Sequence, residues 1–127
     1  MTADPALVAV LSGGGAKAAA HLGALSVLAG RGMVPGRYVA TSMGAVIAAS
    51  LATGLDPVAV LDRLRVVRRT DVVQVSKISL LRGWLARALL RGEPLRVPIA
   101  RLVPARRFDE LVVPRTVPAT HLESGAQ

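Results

Sequence analysis

The strongest constraint in this chain is an abrupt change of character after residue 11. Leu7-Val8-Ala9-Val10-Leu11 is a continuous apolar run, and it stops on Ser12 and three successive glycines, Gly13, Gly14 and Gly15. A short apolar run bounded in this way predicts a buried parallel strand. From Ala16 to Ala29 the residues are good helix formers, with Leu22, Leu25 and Leu28 spaced three apart and Gly30 or Gly32 available to end the helix. Pro35 and Gly36 then mark a turn before a second short strand, Arg37-Tyr38-Val39-Ala40-Thr41. Strand, helix and strand of this length make a minimal βαβ unit, which should be right-handed and parallel.

Parallel strands end on the same edge of a sheet, so the glycine loop and the turn after Thr41 should open side by side, where sites in open α/β sheets lie. Successive glycines let a backbone approach a ligand and present its N–H groups, and the following helix N-terminus adds partial positive charge. Gly13, Gly14 and Gly15 are therefore candidates for an oxyanion hole, with Lys17 to reinforce it. Ser42 occupies the strand-to-helix turn Ala40-Thr41-Ser42-Met43-Gly44. A tight turn of this kind projects a hydroxyl above the sheet, and small residues two positions to either side, here Ala40 and Gly44, relieve crowding.

Each motif alone fits other folds. Gly13-x-Gly15-x-x-Ala18 after a strand also matches a dinucleotide fingerprint, but that mechanism expects an acid for the ribose about 20 positions on. No Asp or Glu occurs from Ala18 to Leu55. Ser42, Asp109 and His121 follow the chain order of an α/β-hydrolase triad. Spacing opposes that reading, because there the oxyanion loop and the nucleophile sit on strands separated by further elements.

Downstream, Ser42 opens a helix through about Thr53, closed by Gly54, and Asp56-Pro57 supplies the N-cap and first position of the next. Val60, Leu61, Leu64 and Val67 should face inward there, leaving Asp62, Arg63, Arg65, Arg68 and Arg69 in water. Residues 78–91 carry Leu81, Trp84, Leu85, Ala88 and Leu89 on one helical face with arginines elsewhere. A basic amphipathic helix either lies on a membrane surface or packs on its own domain. Pro94, Pro98, Pro104, Pro114 and Pro118 should break the remainder into short pieces. A third strand is expected from Leu111 to Val117, with Pro118 confining it to an edge or a bulge.

The 127 residues suit one domain with a single core, packed by Ala, Val and Leu because aromatics are only 2% of the chain. With no cysteine, disulfides, thiolate metal sites and thiol nucleophiles are excluded. Asp4 and Pro5 before a short apolar strand do not read as a secretory signal, so none is expected, and the apolar stretches near 18–29 and 43–55 fall short of the roughly 20 residues a span needs. Residues 63–115 hold 13 of the 16 basic residues against 4 of the 8 acids. Such a segment favours an anionic membrane surface or is simply solvated. With little aromatic interleaving and no recognition module, no nucleic acid is expected as a partner.

The stretches Leu11-Ser12-Gly13-Gly14-Gly15-Ala16-Lys17, His21-Leu22-Gly23-Ala24-Leu25 and Ala40-Thr41-Ser42-Met43-Gly44-Ala45 together resemble the bacterial patatin-like phospholipases. Similarity continues through Arg107-Phe108-Asp109-Glu110-Leu111 and residues 118–125. The resemblance implies an α/β fold, a patatin-like three-layer sandwich with a central, mainly parallel sheet. It further implies a cytoplasmic lipid acyl hydrolase, peripheral at the inner membrane face, that acts on lipid or phospholipid esters without metal or cofactor. Ser42 would be the nucleophile of a Ser-Asp dyad, Gly13, Gly14, Gly15 and Lys17 the oxyanion hole, and Ala40, Thr41, Met43 and Gly44 the elbow. Ala18 and Ala40 stand where the family has glycine, and His121 where it has Asp. The family's catalytic Asp lies in an Asp-Gly-Gly or Asp-Gly-Ala motif, and this chain contains no Asp-Gly. The expectation is therefore one patatin-like domain over 1–127, incomplete at its C-terminus and truncated before that motif. The alternative is a degenerate, non-catalytic chain that binds lipid.

Overall fold

A computed structural model describes residues 3–67, 93–104, 107–121 and 123–126. Strand β1 (Asp4–Leu11) leads through a 3-10 turn, Gly15–Ala19, into helix α1 (Ala20–Gly30) and then strand β2 (Pro35–Ala40). Helices α2 (Met43–Ala52), α3 (Pro57–Arg65) and α4 (Glu93–Leu102) follow, and strand β3 (Arg115–Thr116) pairs last. The strands form one parallel sheet in the order β1-β2-β3, with Leu11 opposite Ala40 and Tyr38 opposite Arg115. The basic amphipathic stretch expected at 78–91 lies outside the described residues.

Local chemistry explains most boundaries. The expected helix from residue 16 begins as a 3-10 turn because the chain enters it from Gly14 and Gly15 at φ 137° and 57°. Its end is a Schellman motif: Met33 N–H donates to the Leu28 carbonyl and Gly32 N–H to that of Ala29, both at 2.9 Å. Gly32, at φ 81°, is thus the residue that stops α1. Asp56 caps α3 as its sequence suggests, accepting from Val58 N and Ala59 N at 2.9 Å each.

Two expectations are corrected. The prolines do not break the chain at residue 98, because α4 runs through Pro98. Pro94 sits in the first turn, where no intrahelical donor is required. Pro98 forgoes one backbone bond, and burial compensates: Leu102 is 3% exposed. The Ser50 hydroxyl on α2 reaches the Leu102 carbonyl at 3.0 Å, pinning the end of α4. The third strand is also far shorter than 111–117, although it does lie at an edge of the sheet. Val112 N–H donates to the Ala52 carbonyl at 2.8 Å, so residues before Pro114 are held by the end of α2 instead of the ladder.

The monotonic strand order has a consequence for layering. Successive right-handed crossovers that step the same way place their helices on the same face of the sheet. The core agrees, since it takes Leu11, Tyr38 and Ala40 from that face, together with Leu22, Leu25, Ile47, Ala48, Leu51 and Val60 from the helices. Val8 and Val10 point to the opposite face and are 45% and 73% exposed. The described residues therefore supply the sheet and one helical layer of the α/β sandwich, and the sheet is incomplete.

Among the described residues β1 has an apolar face and no strand on its outer edge, and such surfaces favour self-association. Size-exclusion chromatography is expected to show Val10→Lys increasing the monomer fraction. Its unfolding free energy should stay within about 0.5 kcal/mol of the parent, as for an exposed site. A loss of several times that would mean the face is covered.

Candidate functional site

Because Leu11 and Ala40 are in register, the two segments that follow them start side by side, and Thr41 N–H donates to the Leu11 carbonyl at 3.1 Å. The glycine loop and the Ser42 turn are brought into contact as the βαβ geometry requires. A Cβ placed on Gly13 would lie 2.9 Å from Ser42 Cβ and 3.4 Å from its Oγ. A Cβ on Gly44 would run into the carbonyls of Leu11 and Ser12. Only glycine at these two positions lets the start of α2 pack on the end of β1 with Ser42 beside the loop.

Ser42 itself is strained. It is the only described non-glycine residue with positive φ, at φ 53° and ψ −129°. Serine in the position before a helix normally has extended backbone and accepts a bond from the first turn. Ser42 makes no such bond, and its hydroxyl has no hydrogen-bond partner among the described residues. A strained backbone that leaves its side chain uncommitted is a mark of functional turns.

Beside Ser42 is a cavity of about 340 Å³. Gly15 and Ser42 bring the glycine loop and the turn to its wall. Met43 and Val46 of α2, Leu64 and Val67, and Pro98, Ile99 and Leu102 of α4 line the rest, so the wall is otherwise apolar. The α4 contribution has no local signal, since nothing in residues 93–102 marks them as neighbours of residue 42.

The remaining candidates are placed as follows. Gly14 and Gly15 are exposed at the loop apex, and Ala18 is buried at 3%. Lys17 is also exposed, and its backbone N–H donates to the Gly14 carbonyl at 3.2 Å. Ala40 is buried at 3%, whereas Thr41 is exposed. His21 Nε2 lies 3.2 Å from the Ser12 carbonyl and 3.4 Å from its hydroxyl, which ties the loop to α1. Ser12, unassigned from sequence, is thereby the loop's anchor.

The groups that would form an α/β-hydrolase triad are not brought together by hydrogen bonds. Asp109 is fully exposed and paired with Arg107 at 3.0 Å, and that bond holds its carboxyl below the ordinary range. His121 Nδ1 is 2.9 Å from the Ser124 hydroxyl in a local turn. Asp56 caps α3, and Asp62 pairs with Arg65 at 2.9 Å on the surface. No group of three or more His, Cys, Asp or Glu among the described residues could hold a metal.

The family model described as Patatin-like phospholipase matches residues 9–125. The chain belongs to the patatin-like phospholipase family. No curated protein and no solved structure gives a significant match. The match spans both the glycine loop and the Ser42 turn of this patatin-like chain, and the family is one of lipid acyl hydrolases.

Two substitutions test the geometry. Ser42→Gly should raise unfolding stability by about 1 kcal/mol, by relieving the positive φ. No gain in a urea titration would show that the turn is unstrained. Gly44→Ala should lower stability by about 2 kcal/mol or more, because the obstructing atoms are backbone.

Proposed function

We propose that this patatin-like chain carries the ester-binding half of a serine lipid acyl hydrolase. Ser42 is its nucleophile, and the backbone N–H groups of Gly13, Gly14 and Gly15 are its oxyanion hole. The observation that carries the reading is the strained, uncapped Ser42 lying against Gly13 at the wall of an apolar cavity. An acyl chain fits that cavity by burying apolar surface, while its ester carbonyl stays at the loop.

In this mechanism Ser42 Oγ bonds to the carbonyl carbon and the carbonyl π electrons move onto oxygen. The loop N–H groups and the positive charge of Lys17 stabilise that oxyanion. Collapse expels the alcohol and leaves an acyl-serine, which water then cleaves to the free acid. The Ser42 proton must pass to a carboxylate base and on to the leaving alcohol. Asp56, Asp62 and Asp109 are committed to a cap and to arginines, and no Asp-Gly occurs in the sequence. The 127 residues alone should therefore bind ester without appreciable turnover.

A second reading, a non-catalytic lipid-binding chain, is favoured by the lack of an Asp-Gly in the sequence and of an uncommitted aspartate among the described residues. Either function can use the basic segment 63–115 against an anionic membrane surface. No helix among the described residues is long and apolar enough to cross a membrane.

Prolonged treatment with a long-chain alkyl fluorophosphonate distinguishes the readings. Phosphorus–oxygen bond formation at Ser42 expels fluoride, and the adduct should appear by mass spectrometry on the Ser42 peptide and accelerate as rising pH lets hydroxide take the proton. Equal labelling of Ser12 and Ser42, or none at Ser42 at high pH, would favour the non-catalytic chain. Rapid, Ser42-dependent hydrolysis of p-nitrophenyl butyrate would instead reveal a base within these residues.

A further inference from the structure

A larger groove, about 720 Å³, lies on the other side of α4 from the Ser42 cavity and shares Val46 and Ile99 with it. Ala45 and Ala49 of α2, Ala100 of α4 and Val103 just beyond it line the groove, so small side chains leave the two helices apart. Phe108, at its rim, is 72% exposed, and Ile99 is 39% exposed. This is apolar surface left open to water, which is costly unless something covers it.

The lining also holds a cation with no anion beside it among the described residues. Arg115 is half-buried, donates from Nη2 to the Phe108 carbonyl at 3.0 Å, and stacks 4.3 Å above the Phe108 ring. Both recorded partners are neutral, and burial pushes the guanidinium below its ordinary pKa. Of its five N–H donors most remain available, in a fork that matches a carboxylate. No acidic side chain lines the groove among the described residues.

We propose that this groove is a binding site for a long-chain fatty acid, its carboxylate on Arg115 and its tail between α2 and α4. At water's share of ~30 Å³ per site the volume accepts roughly two dozen groups, enough for a sixteen-carbon chain. A cation in the wall of an apolar trough selects an anionic amphiphile over a neutral lipid. A fatty acid is also what ester hydrolysis would release, but the assignment does not depend on Ser42 being reactive.

The test is displacement of a fluorescent fatty acid from the full chain. Palmitate should compete at least tenfold better than hexadecanol, while acetate and inorganic phosphate should not compete. Arg115→Met should weaken palmitate at least tenfold and leave hexadecanol unchanged, Arg115→Lys should restore most of the loss, and Ala49→Trp should abolish both. Leu64→Trp, which fills the Ser42 cavity, should leave palmitate bound, with circular dichroism confirming the fold of each variant. Equal binding of palmitate and hexadecanol, or no palmitate binding, would overturn the proposal. So would indifference to Arg115→Met, or loss on Leu64→Trp with retention on Ala49→Trp. Hexadecyl phosphate binding at least tenfold tighter than palmitate would overturn the carboxylate assignment in favour of a phosphate headgroup. None of these results bears on fluorophosphonate labelling of Ser42, so the two readings fail separately.

Discussion

The site depends on one close approach, the backbone of Gly44 lying against the carbonyls at the end of β1. That contact sets where α2 begins relative to β1, and the in-register pairing of Leu11 with Ala40 sets how far along the sheet edge it happens. Ser42 has nowhere to go but into a positive-φ turn facing Gly13. The steric demand of two missing side chains thus orders a loop and a turn that are 29 positions apart. Such packing is stiff, because backbone atoms cannot swing aside as a flexible side chain can.

Around that point the helices divide the labour. The half of α2 nearest Ser42 carries Met43 and Val46 to the cavity, while its far end holds the Ser50 hydroxyl that pins α4 and the Ala52 carbonyl that holds Val112. Helix α4 in turn separates two cavities of different character. Both are mainly apolar, but one has a serine in its wall and the other has arginine. A protein acting on lipids has use for both chemistries, since the ester is neutral where it reacts and its acid product is not.

Much of this was legible in advance for physical reasons. The βαβ unit, the Asp56 cap and the inward face of α3 follow from short-range rules, because the residues that decide them are within four positions of one another. The contact of His21 with Ser12 was not legible, because it closes across the glycine loop. The course of α4 was misread from its prolines, and the length of β3 from the apolar run at 111–117. At Pro98 the lost backbone bond is offset by the burial of Pro98 itself and of Leu102, and at 112–113 the end of α2 competes with the sheet for the same N–H groups.

The sequence by itself determined a glycine loop and a small-residue turn at one helix's distance, which parallel pairing must bring to one edge. It also determined that these 127 residues contain no Asp-Gly. Only the tertiary structure decided that Ser42 is strained and uncapped, that the sheet buries one face, and that α4 closes the Ser42 cavity while opening a groove beside Arg115. Those outcomes depend on contacts between segments some 50 residues apart. Such contacts are set by shape and burial across the whole core, which local periodicity does not encode.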